Sequence, residues 1–366
     1  MATTEDTIEN TQEEKPGKAL PFKKERNRYY YEQFRLFLRA LTKGKLSWRK
    51  LWNIFICDIA YLFKIKEGSP TPYVLSLELW NECNAGCLFC RDKKGKIHDL
   101  NTQNPGLISK GKMPYEMATG IIDQLCEDVL IAVLYTNGEP LLYPDLAKLI
   151  KYSSDHHLAT MIASNGLLFT EENARGILEA GIDFIKIQLS GWTQDIYSVQ
   201  IRYGEVEHLK QNIRMLADMN RHGKYGTVIL IDYILYNYNR HHLPFVRKFC
   251  KELGLLLSIR PGNPYGGLEK KEASLTAQFT LPLQMSCDYL WKVMQVNFNG
   301  DILPCCEAVV WSGAKPYENF KPGETKVKAV WQGKAAQAMR HGMNTNGRAG
   351  LAMCAQCTRK GICFKW

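Results

Sequence analysis

From residue 73 onward the chain repeats one rhythm six times, an apolar run, a loop and a helical pattern, and few folds accommodate it. The strand candidates are 73–79, 130–135, 160–163, 184–189, 228–235 and 256–259. Strands this continuously apolar are covered on both faces, and their alternation with helices sets them parallel in one sheet. Gly181 and Gly254 stand where two of the helical patterns stop, the place of a left-handed C-terminal cap. Six units predict an α/β fold, an open, partial (βα)6 barrel of parallel strands. Such a barrel carries its chemistry on the loops that follow the C-terminal ends of its strands.

The first of those loops holds Cys83, Cys87 and Cys90, in the run Cys-Asn-Ala-Gly-Cys-Leu-Phe-Cys. A [4Fe–4S] cube normally takes four protein thiolates. Three at this spacing hold three irons from one loop and leave the fourth open to a ligand that is not protein. With 12 Cys in 366 residues, composition alone gives such a triple about once in eighty chains. The competing reading is three buried thiols or a zinc knuckle.

The pattern CxxxCx(aromatic)C after a hydrophobic strand resembles the radical S-adenosylmethionine superfamily, and three further stretches match in the expected order. Tyr135-Thr136-Asn137-Gly138-Glu139-Pro140-Leu141-Leu142 is similar to the GGEPLL loop, with Asn137 in place of the first Gly. Ser164-Asn165-Gly166 is similar to the (S/T)NG turn, and Ile187-Gln188-Leu189-Ser190-Gly191 stands where relatives carry a strand ending SLDG. The resemblance implies that Gly138 and Glu139 lie at the methionine amine, Ser164 and Asn165 near the ribose, and Arg202 near the cofactor's carboxylate. It gives Gln188 and Ser190 hydrogen-bonding roles and sets Phe89 beside the cluster and the adenine. It further implies a cube on Cys83, Cys87 and Cys90 that reductively cleaves S-adenosylmethionine, releasing a 5′-deoxyadenosyl radical that abstracts a substrate hydrogen.

After Pro282 the rhythm stops and cysteines return at Cys287, Cys305, Cys306, Cys354, Cys357 and Cys363. The run from Asn299 to Cys305 reads as a hairpin turn that delivers a thiolate, and it resembles the GxxxxC element of SPASM domains. A full SPASM domain needs a further cysteine just beyond Cys363, so the resemblance is to the shortened form called Twitch. It implies one auxiliary [4Fe–4S] cluster on Cys287, Cys305, Cys354 and Cys357. Zinc on the same four is the alternative, and Cys306 or Cys363 could replace one ligand. In SPASM enzymes the residue after the GxxxxC cysteine can face the substrate. Cys306 there could donate a hydrogen atom in an epimerisation, and Glu307 could take a proton in an oxidation. The plain alternative for Cys306 is a buried thiol.

The net charge of +10 is concentrated, because residues 22–66 hold 12 Lys or Arg against Glu25, Glu32 and Asp58. The expected organisation is a disordered tail over 1–21, a basic helical extension over 22–70, the barrel over 71–282 and the auxiliary domain over 283–366. Helices are expected at 28–41 and 47–65, with Ser47 as an N-cap. The extension packs on the outside of the barrel or docks peripherally on an anionic membrane; no recognition motif supports nucleic acid. Residues 1–21 do not form a cleavable apolar leader, and the clustered cysteine spacing suits metal, so a reducing, cytoplasmic setting is expected. Cys57, Cys126 and Cys250 read as buried thiols, and the His156-His157 and His241-His242 pairs as solvated histidines. Asp232, inside an apolar strand, is either a base in the barrel or a structural acceptor. The functional expectation is oxidation or epimerisation of a carbohydrate, aminocyclitol or glycoconjugate, with flavodoxin or ferredoxin as electron donor. A peptide maturase and a non-catalytic iron–sulfur or zinc scaffold are the alternatives.

Overall fold

The computed structural model describes residues 37–88, 90–91, 109–261, 286–311, 313–355 and 357. Nine strands form one sheet in the order β6-β5-β4-β3-β2-β1-β7-β8-β9. The six expected strands are all present, as β1 (Val74–Leu77), β2 (Ile131–Val133), β3 (Ala159–Ser164), β4 (Phe184–Gln188), β5 (Val228–Leu235) and β6 (Leu256–Pro261). Each pairs in parallel with the next. A seventh parallel strand, β7 (Val293–Val296), joins the other side of β1. The expected turn before Cys305 then leads antiparallel into β8 (Asp301–Leu303), which pairs with β9 (Glu318–Asn319). The sheet stays open, with β6 and β9 at its edges.

Helices α1 (residues 37–42) and α2 (Trp48–Leu62) precede β1, and Ser47 accepts from the Lys50 N–H as the N-cap of α2. Between the strands run α3 (Tyr115–Leu125), α4 (Leu146–Asp155), α5 (Glu171–Glu179), α6 (Gln194–Ser198), α7 (Val206–His222) and α8 (Leu243–Leu253). Thr170 and Asn173 close a capping box on α5, and Gly254 ends α8 in the left-handed conformation at φ 68°. Past β6 come α9 (Tyr289–Lys292), α10 (Val327–Gln332), α11 (Lys334–Asn346) and α12 (Ala352–Ala355).

Alternation along the strands separates two surfaces. Leu75, Leu77, Ala132, Ile162, Ile185, Ile187, Ile229, Ile231 and Leu257 pack with Ile121, Leu149, Ile177, Ile213 and Val246 of the covering helices. The intervening residues make the inner face. At the N-terminal ends of the strands it is apolar, with Val74, Ile131, Ala159, Phe184, Val228, Leu256 and Val293 in one buried cluster. Toward the C-terminal ends the same face turns polar, through Ser76, Lys186, Gln188, Asp232, Ser258, Arg260 and Gln295.

Asp232 is buried there and paired twice. Lys186 Nζ lies 3.2 Å from Oδ2, and Arg260 donates from Nε at 2.9 Å to each carboxylate oxygen and from Nη2 at 2.8 Å. Arg260 and Lys186 hold its carboxyl well below the usual range against the opposing cost of burial. Asp232 is therefore a fixed anion and not a base.

The basic N-terminal helices do not join the helical layer. They cross the N-terminal ends of the strands. Arg39 and Lys45 reach Asp183, just ahead of β4, at 3.0 and 2.5 Å. Lys50 donates to the His157 carbonyl at 2.6 Å, and Asn53 to the carbonyls of Thr71 at 2.8 Å and Asp128 at 3.0 Å. Ala40 and Cys57 enter the apolar cluster of the inner face and close it from below. Two smaller expectations also change. His242 is buried and accepts the Trp192 N–H at 3.0 Å, and Cys126 is only partly covered at the end of α3.

Removing the Asp232 charge leaves two cations facing a dry wall. Breaking a fully buried pair costs about 3–5 kcal/mol. Lys186 and Arg260 keep 25% and 47% side-chain exposure, so Asp232→Asn should cost about 2 kcal/mol in denaturant unfolding. Arg260→Gln should cost less, because Lys186 remains; equal losses would show that the pair is not asymmetric in this way.

Candidate active site

The loop that leaves β1 is pinned by main-chain hydrogen bonds. Leu88 N–H donates to the Gln200 carbonyl at 2.9 Å and Tyr203 N–H to the Ala85 carbonyl at 3.1 Å, around an antiparallel bridge between Cys87 and Ile201. Cys90 and Arg91 both donate their N–H to the Cys87 carbonyl, at 3.0 and 2.9 Å, folding the second half into a tight turn. Gly86 sits at φ 59°, and a Cβ there would overlap the Tyr203 ring, so glycine is required. Burial pushes the Cys83 and Cys87 thiols up, and the charges of Cys90 and Cys83 add to the rise at Cys87. The three thiols thus lie within electrostatic reach of one another.

Among the described residues no three His, Cys, Asp or Glu side chains converge on a single metal ion. A cube asks for something else, since each thiolate binds its own iron. A backbone-fixed loop offering three soft, partly buried thiols fits such a cluster. Metal binding would reverse the upward shifts by taking the thiol protons.

The expected cofactor loops abut this one. Gly138 packs so close that a Cβ would overlap the Trp80 carbonyl oxygen, and Glu139 N–H donates to the Glu82 carbonyl at 2.8 Å, next to Cys83. The Glu139 carboxylate is buried and spent within the chain. It accepts from Leu141 N–H at 3.1 Å, Ser164 Oγ at 2.7 Å and Asn165 N–H at 2.8 Å. Burial raises it to about 7 against those three hydrogen bonds. Asn165 donates from Nδ2 to Asn84 Oδ1 at 2.7 Å and reaches Cys83 Sγ at 3.6 Å. Gly138, Glu139, Ser164 and Asn165 are therefore one unit with Cys83.

The remaining expected residues divide. Gln188 is on the inner face, and its buried Nε2 has no partner. Ser190 is fully buried and donates to the Tyr197 carbonyl at 3.3 Å, on α6. Arg202 donates to the Arg91 carbonyl at 2.9 Å, just past Cys90. Phe89 lies outside the described residues, as does Cys363.

Sequence reasoning missed the charges that frame this loop. Arg91 is 2% exposed, donates from Nη2 to the carbonyls of Asn81 at 2.7 Å and Asn137 at 2.9 Å, and offsets part of the rise that burial imposes on the Cys83 and Cys87 thiols. Glu78 is fully buried at the end of β1, accepts from Asn137 Nδ2 at 3.3 Å, and is raised by burial to about 8. Gln295 on β7 donates to Thr136 Oγ1 at 3.1 Å. An arginine next to a cysteine motif was the one available signal.

The second cysteine group gathers at the other side of β1. Cys287 shares a buried cluster with Cys354, Trp291 and Met343, while Cys305 and Cys306 pack with Cys287 against the inner-face cluster. Cys357 N–H donates to the Cys354 carbonyl at 3.1 Å, so the pair forms a turn at the end of α12. Burial pushes Cys287 up to about 12 and Cys354 up to about 11, and Cys305 well up. Arg348, also missed, is 2% exposed beside them. It donates to the Cys357 carbonyl at 3.4 Å, offsets part of the rise at Cys287 and Cys354, and leaves Nε and Nη2 without a partner. Four thiols beside a buried cation with orphaned donors fit a net-negative cluster. Cys306 Sγ lies 3.8 Å from the Tyr289 hydroxyl.

Residues 77–248 match the family model of the Radical SAM superfamily, and residues 287–358 match that of an iron–sulfur cluster-binding domain, SPASM. The AdoMet-dependent heme synthase of Oleidesulfovibrio alaskensis is 26% identical over 195 residues, 52% of this chain and 45% of that protein. The chain spans about half the length of the curated relatives it matches. Streptococcus suis SuiB bound to S-adenosylmethionine superposes with a TM-score of 0.59 at 14% identity, over 82% of this chain and 76% of that one. BtrN in complex with AdoMet and 2-DOIA gives 0.50 at 16% identity, over 80% and 96%. At such identities these two share the fold.

The Glu78 carboxyl supplies a pH test. Its folded value, about 8, exceeds the ordinary 4.5, so the folded chain keeps a proton that the unfolded chain releases. Stability therefore declines as pH rises from about 4.5 to about 8 and levels above that. Glu78→Gln should flatten the decline in Tm between pH 5.5 and 8. Parallel curves for the two proteins would place the carboxyl in a wetter setting.

Proposed function

As the chain belongs to the radical S-adenosylmethionine superfamily and carries a SPASM domain, we propose that it removes a hydrogen atom from an unactivated C–H bond of a carbohydrate, aminocyclitol or glycoconjugate, leading to oxidation or epimerisation. The observation that carries this reading is the polar upper half of the inner face, where Lys186, Gln188, Asp232, Ser258 and Arg260 stand toward the same C-terminal strand ends that the Cys83–Cys90 loop follows. A surface dense in donors and acceptors suits a polyhydroxylated ligand.

Cys83, Cys87 and Cys90 would hold the catalytic cube, and Cys287, Cys305, Cys354 and Cys357 the auxiliary one. When bound, the catalytic cluster and S-adenosylmethionine supply the radical that takes the hydrogen. The chain's own residues bind and orient. Gly138 lets the cofactor loop approach the cysteine loop, and Glu139 and Ser164 act as a brace between the β2 and β3 loops. Asn165, Arg202 and Gln188, whose Nε2 has no partner, would contact the cofactor. Lys186 and Arg260, fixed by Asp232, would orient the substrate. Cys306 lies on the inner side beside Tyr289, and Glu307 follows it. Flavodoxin or ferredoxin would supply the electron.

Anaerobic reconstitution should give about eight irons per chain from two four-iron clusters. Changing Cys83, Cys87 and Cys90 together to Ala should leave about four and abolish deoxyadenosine formation. Zinc in the C-terminal site, or no iron lost in the triple variant, would overturn the assignment. Product mass then separates the outcomes. Loss of two hydrogens means oxidation, an unchanged mass means epimerisation, and turnover of peptides alone would replace the carbohydrate reading.

Cys306→Ala tests the residue beside the auxiliary ligands. If its thiol returns a hydrogen atom to the substrate radical, the variant should keep both clusters and deoxyadenosine formation while the epimer disappears. Unchanged product would remove Cys306 from the reaction, and lost iron would make it a ligand.

A further inference from the structure

Helix α2 is turned inside out. Its buried positions are Lys50, Asn53, Cys57 and Ala60, while Trp48, Trp52, Phe55 and Leu62 point to solvent at 80, 55, 53 and 68% exposure. At 100° per residue those four fall within one narrow stripe opposite the buried positions, and Phe63, 74% exposed, extends it. An ordinary surface helix does the reverse, burying its aromatics and leaving Lys and Asn in water. Here the inward polar groups are used as struts, Lys50 to the His157 carbonyl and Asn53 to those of Thr71 and Asp128. The outer stripe has no such use in the fold. Leu38, Leu41 and Ile65 are also exposed, so eight of the ten exposed large hydrophobics among the described residues lie between positions 38 and 65.

We propose that the outer face of α2 is a docking surface for an anionic lipid bilayer, on which the protein lies with the open, catalytic end of the barrel directed away from the membrane. Three observations select this occupant. Tryptophan and phenylalanine in a stripe on an amphipathic helix are what an interfacial helix inserts at the headgroup boundary. Exposed cations flank the helix at Lys43, Lys64 and Lys66, within a segment that has 12 Lys or Arg against three acids over residues 22–66. A second copy of the chain would bring two such segments together, and like charge opposes that pairing. The helix rests on the surface, since no helix among the described residues is long and apolar enough to cross a membrane.

Orientation follows from what α1 and α2 hold. Their partners Thr71, Asp128, His157, Asp183 and Gly226 all precede strands, at the N-terminal ends. The Cys83, Glu139, Asn165 and Gln188 group stands at the opposite ends. A bilayer under α2 therefore leaves the barrel mouth facing water, and the substrate is one that arrives from the aqueous side.

The full chain, floated with vesicles of phosphatidylcholine and phosphatidylglycerol at 7:3, should rise with the lipid at low salt. It should do so at least tenfold less with phosphatidylcholine alone. Trp48→Ser/Trp52→Ser/Phe55→Ser should cut flotation tenfold or more while circular dichroism and iron content stay unchanged, because these side chains support nothing inside. Quenching of Trp48 and Trp52 fluorescence by brominated acyl chains should place both within the headgroup boundary. No flotation of the unaltered chain, an unchanged variant, or sedimentation showing a dimer that the triple change dissolves would each overturn the proposal. None of these readings depends on turnover, so they stand apart from any failure of the catalytic assignment.

Discussion

Strict alternation along the parallel strands is the constraint on which the rest of the structure depends. In β4, Ile185 and Ile187 satisfy the helical layer while Phe184, Lys186 and Gln188 share the inner face. A slip of one residue would drive Lys186 into the helices and Ile187 into the cavity. Register also fixes who meets whom. Gln188 pairs with Asp232, and Asp232 with Ser258, so that the carboxylate stands between cations two residues away on each neighbouring strand. The same pairing stacks apolar residues at one end and polar ones at the other. A single sheet thus provides both a sealed floor and a reactive upper surface.

Buried charge marks the reactive end. A buried donor or acceptor without a partner costs about 1–3 kcal/mol. The orphaned nitrogens of Arg348 and Gln188 stand at the second cysteine group and on the inner face. Iron–sulfur clusters held by thiolates are net negative, and an arginine with unused N–H groups, as Arg348 has, is suited to offset that charge and to donate to cluster sulfur. The chain is in this respect built around groups it does not itself contain. Glu139 has the contrary design, with every hydrogen bond already made, which suits a brace.

Much of this was legible in the sequence. The six strands, the caps at Ser47 and Gly254, the turn before Cys305 and the adjacency of the motif loops follow from local pattern and from where parallel sheets place their loops. What escaped depended on distant contacts. Arg91, Arg348 and Glu78 are single charged residues in ordinary surroundings, and only the fold shows that they are dry. Asp232 could not be told from a base, because its partners lie on two other strands. Which face of the extension packs was not legible either. Local pattern sets the period of α2, and only its partners at the strand ends show that Lys50, Asn53, Cys57 and Ala60 are the buried side.

The basic extension also shows why a charge count is a poor guide to a surface field. Of the cations in residues 22–66, Arg39 and Lys45 are consumed by Asp183, Arg49 by Glu127 and Asp128, and Lys50 is buried against a carbonyl. These four tie the segment to the barrel and contribute little outward potential. Lys43, Lys64 and Lys66 remain at the surface. Each cation near an anionic surface contributes about 1 kcal/mol, and each buried CH2 about 0.8 kcal/mol. Insertion of Trp48, Trp52 and Phe55 therefore outweighs the described lysines in adhesion. Charge sets which surface is approached, and the aromatic stripe sets how firmly the helix stays.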